Sequence, residues 1–150
     1  MIHAANVVAT SDMVITGDDA TNVELEVAGT VDMTKATFTG PDFTFADITK
    51  VTMAKDAVLN LTAAQVMAIG SSDENVDGIA DNWTALAGAK LNIIDVDGTF
   101  DVDLNRIQAA GIDIGTLTLK DNMDNVDSPI ILNAGLTLGG ADSILSLIHI

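Results

Sequence analysis

Cysteine and tyrosine are absent from this chain, proline occurs twice, and the single tryptophan is Trp83. Without cysteine there are no disulfides, no zinc–thiolate sites and no thiol nucleophile. Aromatic residues make up 3% of the chain, so a core must be filled by Val, Ile, Leu, Ala and Met. Such side chains suit narrow, repeated layers better than a thick sandwich. Basic residues are scarce too: six Lys plus Arg stand against 22 Asp plus Glu, a formal net charge of −16. That field repels phosphate backbones and anionic lipid surfaces, which excludes nucleic acid as an expected partner and favours cations. No apolar run reaches the roughly 18 residues needed to cross a bilayer, so no membrane insertion is expected. Residues 1–8 lack the charged-then-apolar order of a secretory signal.

What is present is a 48% hydrophobic content over 150 residues, enough for one domain with a buried core rather than a disordered acidic tail. Glutamate occurs only at Glu24, Glu26 and Glu74, and Asp supplies the other acids. Asp favours turns and offers hard oxygen ligands, which points to many turns, some of them metal loops. The lack of disulfides does not exclude secretion, because calcium can stabilise an extracellular chain instead.

The N-terminal part alternates with period two, as in Val23-Glu24-Leu25-Glu26-Val27, Val31-Asp32-Met33, Phe43-Thr44-Phe45 and Val51-Thr52-Met53. That pattern predicts half-buried strands. Gly17, Gly29, Gly40 and Pro41 punctuate them as turns should in an all-β array. Farther on, residues 59–66 and 102–109 match at an offset of 43, aligning Leu61 with Leu104 and Gln65 with Gln108. Each predicts a strand running into a helix start, with Thr62 or Asn105 as N-cap and Gln65 or Gln108 three residues on as its capping-box partner. Residues 85–95 and 109–119 also correspond, each a small-residue cluster leading into a strand. Internal similarity of this kind favours stacked repeats.

The expected fold class is therefore all-β, mainly strands with short helices near 62–69, 82–87 and 104–110, arranged as a β-solenoid-like repeat array. Residues 1–55 are read as β-strand repeats and 56–145 as strand/short-helix repeats, in one continuous elongated domain. Residues 146–150 read as a non-native tail resembling translated adapter sequence, which makes the chain a truncated fragment.

The phrases Leu-Asn-Leu-Thr-Ala-Ala-Gln (59–65) and Leu-Ala-Gly-Ala-Lys-Leu-Asn-Ile-Ile-Asp-Val-Asp-Gly (86–98) resemble the β-strand repeats of large bacterial hemolysin-type calcium-binding, or RTX-like, adhesins and of surface-layer-like proteins. The resemblance covers roughly residues 50–145. It implies a structural or adhesive repeat segment of a secreted or cell-surface protein, exported by type I secretion. The family's nonapeptide GGxGxDxUx is missing, and Gly139-Gly140-Ala141-Asp142 is only a stub of it.

The strongest metal candidate is residues 73–83. Oxygen ligands at relative positions 1, 3, 5 and 9, a carbonyl at 7 and a Gly at 6 wrap a loop around one calcium ion. Asp73, Asn75, Asp77, Asp81, the carbonyl of Ile79 and Gly78 fill those places. The loop resembles those of thrombospondin type 3 repeats and dockerins. Position 12 is Thr84 rather than a bidentate Glu, which predicts a modest affinity of about 0.1 to 1 mM. The alternative is an acidic surface turn with Asp81 capping a short helix. Within the acidic run 95–104, which faintly resembles a dockerin loop but is two residues short, the alternation from Phe100 to Leu104 reads as a strand with Asp101 and Asp103 facing solvent, and Asp121, Asp124 and Asp127 read as a solvated loop.

No enzyme is expected. His3 and His149 sit at the two ends, and no nucleophile elbow or phosphate-binding Gly-x-x-x-x-Gly-Lys is present. The expected partners are calcium ions, an extracellular glycan or protein, and other copies of the chain. A carbohydrate-binding or polysaccharide-active β-helix module, with Trp83 as a sugar platform, and a viral or phage fibre segment remain open alternatives.

Overall fold

The computed structural model describes residues 2–5, 13–16, 23–39, 44–97 and 99–119. The expected turn residues Gly17, Gly40 and Pro41, the strand residue Phe43, the acids at 121, 124 and 127, the 139–142 stub and the 146–150 tail lie outside these residues.

Among the described residues ten strands and two α-helices follow one another: β1 Ile2–Ala5, β2 Met13–Thr16, β3 Val23–Ala28, β4 Thr30–Asp32, β5 Ala36–Thr39, β6 Ile48–Met53, β7 Val58–Thr62, α1 Ala63–Ile69, β8 Trp83–Ala85, β9 Lys90–Val96, α2 Leu104–Ala109 and β10 Asp113–Leu119. A 3-10 turn, Phe45–Asp47, precedes β6. The strands form two four-stranded sheets, in orders β1-β3-β6-β8 and β4-β7-β9-β10, and a two-stranded sheet of β2 and β5. Every pairing is parallel. Parallel neighbours cannot be joined by a hairpin, so each pair needs a crossover of chain between its members. After β3 the chain passes repeatedly between the sheets; α1 occupies the passage from β7 in the second sheet to β8 in the first, and α2 the crossover between β9 and β10, neighbours within the second sheet.

The all-β, β-solenoid-like repeat array expected from the sequence is thereby corrected. The chain is mixed α/β, with small parallel sheets, two α-helices and no closed solenoid among the described residues. The helices are part of the packing and not decoration on coils. Ala63, Gln65, Val66 and Ile69 of α1 and Leu104 and Ile107 of α2 are buried. α1 packs on β7, β9 and the 3-10 turn, and α2 on β10. Burying a side chain such as Val66 or Ile107 stabilises the fold by about 1.5–3 kcal/mol, so these helices help hold the sheets in place.

The core alternates as the strands do. Val23, Leu25 and Val27 of β3 are buried while Glu24 and Glu26 are half-buried, and Leu59 and Leu61 of β7 repeat the pattern. In register, Val31 lies beside Leu59, Leu59 beside Leu91, and Leu91 beside Ile114, so one apolar column runs across the second sheet. Val51 and Trp83 continue a matching column in the first.

A polar column stands beside the apolar one. Asn60 pairs with Asn92, and the Asn92 Nδ2 donates to Asn60 Oδ1 at 2.8 Å. Asn92 Oδ1 in turn accepts the Thr116 backbone N–H at 2.8 Å. The sequence also repeats a left-handed residue before the strands of this sheet: Gly29, Asp56, Gly88 and Gly111 have φ of 67°, 56°, 82° and 91°. A buried residue follows three of them, Ala57, Ala89 and Ile112. Backbone bonds from Val58 to Gly29, Lys90 to Ala57 and Asp113 to Ala89 then fix the next strand at 2.8–2.9 Å.

Two predicted elements differ locally. Residues 82–87, expected as a helix, contain strand β8, because Trp83 finds a strand partner in Val51 and fills the core. Residues 100–103 are not a strand as their alternation suggested. Asp103 instead caps α2, accepting the Asn105 N–H at 3.1 Å, so the cap lies two residues before the predicted Asn105.

Candidate functional site

The loop between α1 and β8 carries all five predicted metal ligands. Its base is closed by residues outside the predicted ligand set. Gly70 ends α1 with φ of 73°, and its N–H donates to the Val66 carbonyl at 2.8 Å. The Trp83 indole Nε1 donates to the Gly70 carbonyl at 2.7 Å, and Asn82 Nδ2 donates to the Ile69 and Gly70 carbonyls at 3.0 and 3.2 Å. Asn82 Oδ1 accepts the Ser72 N–H at 3.0 Å, and the Asp81 N–H donates to the Ser72 carbonyl at 2.7 Å. Asn82 and Trp83 are both buried. Loop entry and exit are thus pinned to the end of α1. The only sequence signal for this was an amide residue next to the lone tryptophan at a loop end.

Inside that frame the acids turn towards backbone amides. The Asp73 carboxylate, with its side chain only 2% exposed, accepts from Asp77 N–H at 3.0 Å through Oδ1 and from Gly78 N–H at 3.1 Å through Oδ2. Asn75 Oδ1 shares the Asp77 N–H at 3.2 Å, and Asp77 Oδ1 accepts the Ile79 N–H at 2.9 Å. Asp81 Oδ2 accepts the Glu74 N–H at 2.7 Å, and Asp81 Oδ1 lies 3.4 Å from Asn75 Nδ2. Val76 and Gly78 take left-handed φ of 61° and 83°, which lets successive amides point inward.

The Asp73 and Asn75 side chains therefore meet at the Asp77 amide, the Asp77 carboxylate turns to the Ile79 amide, and Asp81 joins through Glu74 and Asn75. Ile79 sits at the exposed rim, 40% accessible, beside Val76 at 83%. Among the described residues no three His, Cys, Asp or Glu side chains converge as a metal-holding group. The oxygen-only donor set matches a hard cation in kind. Thr84, at the place of the missing bidentate Glu, is exposed in β8 beside Thr52 and supplies no carboxylate.

A cation from another element reaches the loop. Arg106 of α2 places Nε 3.5 Å from Asp73 Oδ2 and 3.6 Å from Asp103 Oδ2, and Nη1 3.5 Å from the Ser71 carbonyl. Its own carbonyl accepts the Ala80 N–H at 3.0 Å. Nothing in the metal-loop pattern pointed to this residue, since it lies in the next crossover.

The other sequence candidates are placed less suggestively. Asp97 Oδ1 accepts the Thr99 N–H at 2.9 Å, a local turn, and Asp101 is exposed. Trp83 is 2% exposed, so its ring is not a surface platform for a sugar. No helix of the described residues is long and apolar enough to cross a membrane. No family model, curated protein or solved structure matches the chain.

Proposed function

We propose that the chain is a non-catalytic structural or adhesive segment of a secreted or cell-surface protein, stabilised by calcium held in the loop between α1 and β8. Asp73, Asn75, Asp77, the Ile79 carbonyl and Asp81 would hold the ion. Calcium would add positive charge to a chain of net charge −16 and tie the loop to the crossover it closes. The observation that supports this reading best is the ordering of the loop around Asp73, whose nearly buried carboxylate receives the Asp77 and Gly78 amides. A loop already ordered by backbone bonds loses less freedom on binding.

The test is thermal melting of the whole chain, followed by circular dichroism, in EDTA and in about 5 mM calcium, a concentration chosen to exceed the affinity range of extracellular modules. Ligand that binds only the folded form stabilises it by about 1–2 kcal/mol at five- to thirtyfold excess over Kd, a rise of several degrees. Asp77→Ala should remove most of that rise while leaving the EDTA melt nearly unchanged. Equal wild-type melts in EDTA and calcium would remove calcium from this proposal and leave an acidic scaffold.

A further inference from the structure

Arg106 is the only arginine in a chain with 22 acids, and the fold sets it against the least exposed carboxylate of the loop. Its contacts fall at both ends of that loop: Ser71 and Asp73 at the entry through the guanidinium, Ala80 at the exit through its backbone carbonyl. A carboxylate withdrawn from water needs compensating charge or hydrogen bonds. Two loop amides give Asp73 part of this, and among the described residues Arg106 is the one positive side chain set against it. The guanidinium also meets Asp103, the N-cap of α2, so one side chain joins the loop to the start of the next helix.

We propose that Arg106 is a built-in clasp that keeps the 73–81 loop closed when no divalent cation is supplied. The same Asp73 oxygen that meets Arg106 is one that calcium would use, a point that rests on the calcium reading above. Arg106 and calcium then act against each other at Oδ2: the arginine preserves the shape of the loop and lowers its affinity for the ion. The loop is thereby coupled to α2, because loosening the clasp frees both the loop entry and the Asp103 cap.

The experiment compares wild type, Arg106→Gln and Arg106→Lys as whole chains, by amide hydrogen exchange in EDTA and by calorimetric titration with calcium. In EDTA the Asp77, Gly78 and Ala80 amides of Arg106→Gln should exchange about tenfold faster than in wild type, as expected for loss of a charged contact. The amides of β7 should be unaffected, and Arg106→Lys, which keeps the charge, should recover part of the protection. Unchanged exchange at Asp77 and Gly78 in Arg106→Gln would overturn the clasp, as would equal acceleration in β7, which would mark a general loss of stability. In the titration Arg106→Gln should bind calcium several-fold more tightly than wild type; equal or weaker binding would overturn the antagonism. If neither protein binds calcium while the loop amides still exchange faster in Arg106→Gln, the calcium proposal fails and the clasp stands.

Discussion

Gly115 shows how one missing side chain sets a contact two strands wide. A Cβ at this position would overlap Asn92 Oδ1, the atom that accepts the Thr116 N–H. The amide column of Asn60 and Asn92 therefore extends to β10 only because residue 115 has no side chain, at a place where the β9–β10 register is also irregular. Gly115→Ala should force Asn92 aside and cost about 1–3 kcal/mol through crowding and the lost bond. Chemical denaturation of the variant checks this, and Asn92→Ala in the same background should add little, since the two changes remove one shared contact. Gly88 differs in kind: its φ of 82° is itself unfavourable for a side chain, and the Asp56 carboxylate fills the space beside it.

At the scale of elements, the join between β7 and α1 carries the most information per residue. Thr62 N–H donates to Gln65 Oε1 at 2.8 Å and Gln65 N–H to Thr62 Oγ1 at 3.2 Å, the reciprocal capping box that the sequence predicted. Gln65 does more than cap, because its Nε2 donates to the Met33 carbonyl at 2.7 Å and so ties α1 to the chain after β4. Thr62→Ala should cost about 1 kcal/mol, as for an ordinary lost cap. Gln65→Ala should cost more, about 2 kcal/mol, because it removes the cap's return bond and a buried long-range bond together. Equal losses in denaturant melts would mean that the Met33 contact contributes nothing. The cap, both helices and strands such as β3 and β9 were legible because they depend on neighbours in sequence: alternation, a cap residue, a glutamine three places on. Residues 82–87 and 100–103 were misread for different reasons. Trp83 becomes a strand residue through Val51, a partner distant in sequence, whereas Asp103 caps α2 through the Asn105 N–H two residues on, a local signal that the alternation around it masked. For the candidate loop, the spacing of the acids could be read directly, whereas Arg106, Asn82 and Trp83 are joined to it by the fold.

Across the whole molecule, charge and topology act against each other. Parallel sheets bring strands distant in sequence into register, while a net charge of −16 opposes the compaction that this requires. Raising sodium chloride from about 10 mM to about 300 mM shortens the screening length from roughly 30 Å to less than 10 Å. The melting temperature in EDTA should therefore rise steadily with salt. A fall would show that attractive pairs such as those of Arg106 outweigh the general repulsion. The all-β expectation failed at this same scale. Period-two alternation identifies a strand, but it carries no information about what fills the crossover from one strand to the next, and two of those crossovers are helical.

Trp83 is buried, and its indole is bonded to the carbonyl that ends α1. The chain has no tyrosine and no other tryptophan. Light absorbed near the red edge of the protein band is thus taken up and re-emitted by one ring at the neck of the candidate loop. The molecule carries its own optical gauge at that point: water reaching the indole when the neck parts would redden and dim the emission, with no dye attached.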